Sequence, residues 1–270
     1  KFPNVLGLEQ HPVVLEFEKY FSALGVGTTK NRNAGMITWK DGYYLDEQEF
    51  VMTGFTAKRG SETPLAKRVQ TEVLKMWASQ NTFAEINKYV SGVYHQTLNG
   101  ELDKTEIIKR SRLKEERFSV KCYECRRVYE MKDITALKYC GENEGRDGTH
   151  KCGNSVSNFK TLSEKKPTIG SGVAGVIHAF QKRDLTFDDS YLFMKASKTN
   201  DTFVHPLTKE VRQVDYVAGV INSDLDDYTP DWRHYAEQVL KKAEPVYRAM
   251  DWDISSIRTG RIQSSLLEWF

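Results

Sequence analysis

Cys122, Cys125, Cys140 and Cys152 are the four cysteines of a 270-residue chain, and all fall within thirty-one residues. The first two stand in "CYEC", the spacing with which a tight knuckle offers two sulfurs to one ion. Fourteen residues separate Cys125 from Cys140 and eleven separate Cys140 from Cys152. The second half is therefore no second C-x-x-C, and the pattern is that of a stretched zinc ribbon. Four soft ligands without redox demand suit tetrahedral zinc. His150, two residues before Cys152, is a candidate to replace one sulfur. A disulfide pair and an iron–sulfur cluster are the competing readings. A reducing interior disfavours the first, and the polar flanks of "KCYECRRVYE" would leave the second exposed. With four protein ligands no coordination position stays open for water, so the metal's part is structural.

Other chemistry is sparse. No phosphate-binding Gly-rich loop, H-E-x-x-H or G-x-S-x-G pattern occurs, and the six histidines are scattered. In "DWD", Asp251 and Asp253 either hold Mg²⁺ or cap and turn a helix end; the second is our reading. Residues 104–117, "KTEIIKRSRLKEER", hold six basic residues against three acidic, which is either a solvated helix face or a phosphate-tracking surface. In "QSSLLEWF", Leu266, Trp269 and Phe270 follow Gln263 at i+3, i+6 and i+7 and gather on one side of a 3₁₀-type turn. That is a compact plug for a hydrophobic pocket on another protein, the alternative being a tail docked on its own body. "RTGRI" before it suits a flexible tether. By themselves these residues offer binding surfaces and no active site.

The elements that must position them change period along the chain. Residues 12–21, "PVVLEFEKYF", alternate apolar and charged and predict a strand; "MITWKDGYYLDEQEFVMTGF" predicts two more about a turn at Asp41-Gly42. From Pro64 the period becomes helical, with apolar stripes in "TPLAKRVQTEVLKMWA" and "TFAEINKYVSGVYHQTL", the second stopping at Asn99-Gly100. Beyond the cysteines, "KKPTIGSGVAGVIHAF" is a Gly-punctuated linker running into an apolar segment, and "DDSYLFMKA" predicts a strand. A last helix is expected over 231–250 with a kink at Pro245. Hydrophobic content of 39% with 28% charged residues allows a real core. A net charge of +2 is too mild to demand a nucleic-acid partner. No apolar run reaches the roughly 20 residues that cross a membrane, and "KFPNVLGLEQ" carries no signal-peptide pattern, so a cytoplasmic location without membrane contact is expected.

The order of segments resembles the C-terminal part of archaeal family B DNA polymerases over nearly all the chain except about 118–158. "PVVLEFEKYF…TTKNRNAGMITWKDG…EFVMTGFTAKRGSETPLAKRVQTEVL" is similar to the end of the palm running into the thumb. "ELDKTEIIKRSRL" looks like the thumb helix leading into its Lys-Arg segment, and "WRHYAEQVLKKAEPVYRAMDW" like the thumb's final long helix. "QSSLLEWF" resembles the clamp-binding box of archaeal and eukaryotic replication proteins. The family's "DxxSLYPS" and "YGDTDS" aspartates, which hold the two metal ions of nucleotidyl transfer, are absent, as are its fingers and exonuclease. The resemblance is to the small chain of a polymerase split in two, of methanogen type.

That resemblance implies an α+β fold: short antiparallel strands completing a palm (1–60), then a mainly helical thumb (61–117 and 159–258). A zinc-ribbon-like module (118–158) is inserted, and a clamp-binding tail (259–270) follows. It implies primer-template DNA held by its backbone through Lys30, Asn31, Arg32, Asn33, Lys58, Arg59, Lys109, Arg110 and Arg112. Asn31 and Asn33 stand where the family has a Lys-x-Tyr element, which weakens the charge-assisted grip there. Lys58-Arg59-Gly60-Ser61 stands for an "R-R-D" type element without its acid. Zinc would sit on this chain, in Cys122, Cys125, Cys140 and Cys152, and magnesium on a larger catalytic chain. A sliding clamp would take Gln263, Leu266, Trp269 and Phe270, and the chain by itself would be inactive. The rival expectations are a non-catalytic zinc-containing DNA-binding adaptor, or an inactive polymerase-like subunit, recruited by the clamp.

Overall fold

The structure, a computed structural model, describes residues 17–27, 31–58, 60, 62–113, 118–142, 152–182, 190–198 and 200–260. The chain opens into β1 (Lys19–Val26), β2 (Asn33–Lys40) and β3 (Tyr43–Thr53), one antiparallel sheet in that order. The β2–β3 turn falls where the sequence sets it. Asp41 and Gly42 take φ of 51° and 95°, the tight hairpin geometry whose twist matches its strands. The strand expected over 12–21 is instead β1; residues 12–16 lie outside the described residues. β1 ends at the β1–β2 connection, where the Gly27 N–H donates to the Arg32 carbonyl at 2.7 Å.

Helices α1 (Pro64–Ala78) and α2 (Phe83–Leu98) follow, then β4 (Lys109–Arg112). The cysteine segment carries β5 (Ser119–Lys121), β6 (Val128–Glu130), a single helical turn α3 (Met131–Ile134) and β7 (Lys160–Thr161). Then come α4 (Ser171–Lys182), β8 (Ser190–Lys195), β9 (Thr202–Val204), β10 (Val211–Gln213), β11 (Tyr216–Gly219), α5 (Trp232–Ala249) and α6 (Ser255–Thr259). An α+β fold of small antiparallel sheets is thus observed. Helices predominate after residue 61, and β4 and β8–β11 add a sheet β11-β8-β4 and a hairpin β9–β10. The basic run is a strand there, since Lys109–Arg112 pair with Ser190–Phe193 along an edge of β8. β8 buries Tyr191, Leu192, Phe193 and Met194 on both faces, as a central strand does.

Caps fix the helix starts. The Thr63 hydroxyl accepts from the Ala66 N–H (3.2 Å) with Pro64 in the first turn of α1. Thr82 and Glu85 form a reciprocal capping box on α2. The stripes Leu65, Val69, Val73 of α1 and Ile86, Val90, Val93 of α2 pack on Tyr235, Val239, Ala243 and Val246 of α5. Each such buried side chain stabilises the fold by roughly 1.5–3 kcal/mol. Pro245 lies within α5, which runs on to Ala249. Ala34, Met36 and Met52 of the first sheet are buried on the side of α1. α4 lies close on β11 because Gly175 has no Cβ, which would stand 2.3 Å from the Tyr216 carbonyl oxygen. Asp253 accepts from the Ser255 N–H (2.8 Å) and hydroxyl (2.8 Å), so "DWD" does turn and cap chemistry.

Candidate metal centre

The four cysteines converge from two loops. In the first, the Arg126 N–H donates to the Cys122 carbonyl (3.1 Å) and the Cys122 N–H to the Arg127 carbonyl (2.9 Å), with Arg126 at φ 65°. In the second, the Cys140 N–H donates to the Asn154 carbonyl (2.8 Å) and the Gly153 N–H to the Cys140 carbonyl (3.3 Å). Gly141 and Gly153, each just after a cysteine, have φ of 80° and 68°. A left-handed residue thus follows Cys125, Cys140 and Cys152, curling each loop so that amides and sulfurs face one point.

All four sulfurs lie within 4.8 Å of one another. Cys122 and Cys152 Sγ stand 3.6 Å apart, and Cys125 and Cys140 Sγ 3.4 Å. Zn–S bonds of about 2.3 Å set the edge of a tetrahedron near 3.8 Å, so the donor set fits a tetrahedral soft metal. The four cysteines could hold a metal such as zinc.

The surroundings divide the sulfurs. Burial would raise the Cys122 thiol, but the Asn154 side-chain amide at 3.4 Å and the Cys125 and Glu124 N–H groups outweigh it, bringing it to about 7. Burial pushes Cys140 up to about 12, with the Cys125 and Cys122 sulfurs adding to it against the Tyr129 hydroxyl. Crowded thiols cannot all ionise without a cation among them, and a metal supplies one. The Tyr129 hydroxyl sits 3.2 Å from Cys140 Sγ and accepts from the Gly141 N–H at 3.1 Å, while its ring stacks on Phe159. The Asn154 amide carbonyl accepts from Asn158 at 3.2 Å, which orients its NH₂ toward Cys122. Tyr129 and Asn154 orient the ligands, and the sequence reading passed over both. The only trace of them is Asn154 standing two residues after Cys152.

The module is fastened to the rest of the chain. Val120, Met131, Ile134, Val156 and Phe159 join the continuous core. Lys209, at φ 62°, donates through Nζ to the carbonyls of Ile134, Thr135 (3.2 Å) and Pro206 (2.6 Å), holding the end of α3 against the turn between β9 and β10.

The other expected site residues do not gather into one place. Asn31 takes φ 63° in the β1–β2 connection, and its carbonyl oxygen packs on Gly54, where a Cβ would stand 2.0 Å away. The Asn33 side-chain oxygen accepts from the Thr53 hydroxyl across the β2–β3 pair. Arg32 makes no ion pair among the described residues. Lys109 and the arginines of β4 face opposite ways. Lys109 Nζ lies 5.0 Å from the Tyr216 ring centre and lines a cleft of about 280 Å³ with Glu62, Thr63, His234 and Gln238. Arg110 is exposed and donates to the Ser190 hydroxyl at 3.1 Å, and Arg112 is exposed beyond it. Lys30, Arg59, His150 and the box Gln263, Leu266, Trp269 and Phe270 lie outside the described residues, as does the side chain of Lys58. No helix among the described residues is long and apolar enough to cross a membrane.

No family model matches the chain, and no curated protein does. Among solved structures it is similar to the family B DNA polymerase from the hyperthermophilic archaeon Pyrobaculum calidifontis, with a TM-score of 0.40 and 15% identity. The alignment covers 83% of this chain and 21% of that one, so the chain spans about a fifth of the polymerase it matches.

Proposed function

We propose that the chain is the small, C-terminal chain of a two-chain family B DNA-directed DNA polymerase. Residues 1–60 complete the palm, 61–117 and 159–258 form the thumb, 118–158 are a zinc-bearing insertion, and 259–270 tether the enzyme to the sliding clamp. Lys30, Asn31, Arg32, Asn33, Lys58, Arg59, Lys109, Arg110 and Arg112 hold primer-template DNA by its backbone without reading sequence. The magnesium-holding aspartates of nucleotidyl transfer belong to a larger cytoplasmic partner chain. The motif order of the sequence supports this reading, and one structural observation carries it.

That observation is the condition of the first sheet. Among the described residues, neither outer edge of β1-β2-β3 is paired. β3 is blunted by exposed charges over Asp46–Glu49, the usual protection of an edge. β1 is not: Tyr20, Leu24 and Val26 are exposed along it, Val26 by 76%. Apart from the exposed Lys19 at its start, β1 carries no charge from Tyr20 to Val26, and such an edge is a template for another strand, which a neighbouring palm sheet supplies.

Primer extension tests the reading. The chain alone is inert, and mixing it with the larger chain restores extension; a larger chain that extends equally well without it overturns the proposal. Trp269→Ala with Phe270→Ala abolishes clamp binding and leaves extension on short templates intact. The metal module alone also favours a second reading, a zinc-containing DNA-binding adaptor. That protein would bind DNA and clamp yet leave extension unchanged.

A further inference from the structure

The metal module has an outward face that neither its metal chemistry nor the proposed thumb uses. In the sheet β6-β5-β7, Lys121 of β5 stands opposite Val128 of β6 and Lys160 of β7. Strand alternation puts these three on one side while Val120, fully buried, points to the core on the other. Ser119 and Glu130 share the outward side. At its margin the knuckle presents Tyr123, 57% exposed, with the Arg126 guanidinium 5.8 Å from its ring centre. Glu164 Oε1 accepts from both Lys121 (3.1 Å) and Arg126, so two cations share one carboxylate oxygen. Lys160 makes no ion pair among the described residues, and Lys165 and Lys166 stand exposed just after Glu164.

We infer that this face binds single-stranded DNA, with an unpaired base on Tyr123 and the adjoining phosphates on Arg126, Lys121 and Lys160. An exposed aromatic ring flanked by a guanidinium offers a stacking plane that any base can use and that a paired base cannot reach. The under-neutralised cations supply backbone contacts beside it, and the charge complementarity argues for a polyanion. A three-residue strand spans roughly 10 Å, and Lys121, Lys160 and Arg126 beside it offer about three backbone contacts. The site is independent of the duplex grip proposed for β4, and it goes beyond that reading.

Fluorescence anisotropy of a labelled oligo-dT with the full metal-loaded chain tests it. Wild type binds, and about three phosphate contacts make log K fall by roughly 2 per tenfold rise in salt. Tyr123→Ala weakens binding about 5- to 150-fold, the range of one lost stacking contact, while Tyr123→Trp retains it. Lys160→Glu weakens binding and flattens the salt dependence. Tyr123 is exposed, so these variants keep their metal and their melting temperature, which are measured alongside. Arg110→Ala with Arg112→Ala lowers duplex binding, whereas Tyr123→Ala leaves duplex binding unchanged because a paired base cannot reach the ring, which separates failure of this site from failure of the thumb assignment. Unchanged oligo-dT affinity in metal-retaining Tyr123→Ala and Lys160→Glu overturns the inference. So does an oligo-glutamate peptide that binds the face as tightly as oligo-dT.

Discussion

The sheet β1-β2-β3 has strands of eight, eight and eleven residues, whereas β6-β5-β7 has strands of three, three and two. Among the described residues both sheets have unpaired outer strands, but the longer one exposes Leu24 and Val26 along β1, whereas the shorter one sits beside four converging sulfurs. Four sulfurs, an aromatic hydroxyl and an amide do in the small sheet what length and packing do not. Strand length alone therefore says little about which part of this molecule is complete. On the proposed reading, the missing free energy is drawn from within, through a metal, in the small sheet and from outside, through a neighbour, in the long one.

The largest expected effect breaks the cysteine side. Chelation of the full chain, or Cys140→Ser, removes a metal whose binding in small structural sites is worth about 10–16 kcal/mol in apparent terms. Hydrogen exchange then shows loss of protection in β5–β7 with β1–β3 unchanged; retained protection would mean that packing alone holds the module. Next, Leu24→Glu with Val26→Glu charges the open edge. Binding to the proposed larger chain weakens at least about 30-fold, the equivalent of a 2 kcal/mol hot spot. The melting temperature stays put because both side chains are exposed. Gln48→Glu on the charged β3 edge leaves binding unaltered.

Two glycines sharpen the contrast. Gly54 in the first sheet has φ 71° and a Cβ there would meet the Asn31 carbonyl at 2.0 Å, whereas Gly153 in the module has φ 68° and open space around it. Gly54→Ala costs about 2–4 kcal/mol, left-handed strain plus a backbone clash, and Gly153→Ala about 1–2, strain alone. Chemical denaturation of the metal-loaded protein measures both.

The smallest effect is on pH. His205 Nδ1 accepts from the Leu207 and Thr208 N–H groups at 3.3 and 3.1 Å, at the turn that Lys209 ties to the module. Burial holds its imidazole below the ordinary value, with Arg212 and Lys209 adding to this and Glu210 opposing it. The unfolded chain therefore binds more protons, so this contribution is complete above the ordinary imidazole value of about 6.5 and is lost as pH falls through the folded one. His205→Asn keeps an acceptor without the titration, and its melting temperature falls less steeply with acid than that of wild type.

Much of this was legible in order. The four cysteines that the spacing singles out do converge, and the Asp41-Gly42 turn, the α1 start at Pro64, the α2 stop at Asn99-Gly100 and the stripes of α1, α2 and α5 stand where residue types put them. Those signals are local, carried by dihedral preference or by a period within one element. The strand nature of Lys109–Arg112 was not legible, because a short basic run has no intrinsic preference strong enough to choose between helix and edge strand until β8 offers its hydrogen bonds. Tyr129 and Asn154 were invisible for a related reason: a group that orients a ligand is recognised by where its polar atom ends up, and no spacing encodes that.

By itself, then, the sequence determined the chemistry available: four soft ligands, a basic run, a row of helical stripes, and strands about an Asp41-Gly42 turn. The tertiary structure alone decided how that chemistry is shared out. It drew the sulfurs to within 4.8 Å, turned Lys109 away from Arg110 and Arg112, and, among the described residues, left both edges of the first sheet unpaired. Residue type fixes what a group can do, but distance and desolvation fix what it does, and both depend on chain segments far apart in sequence.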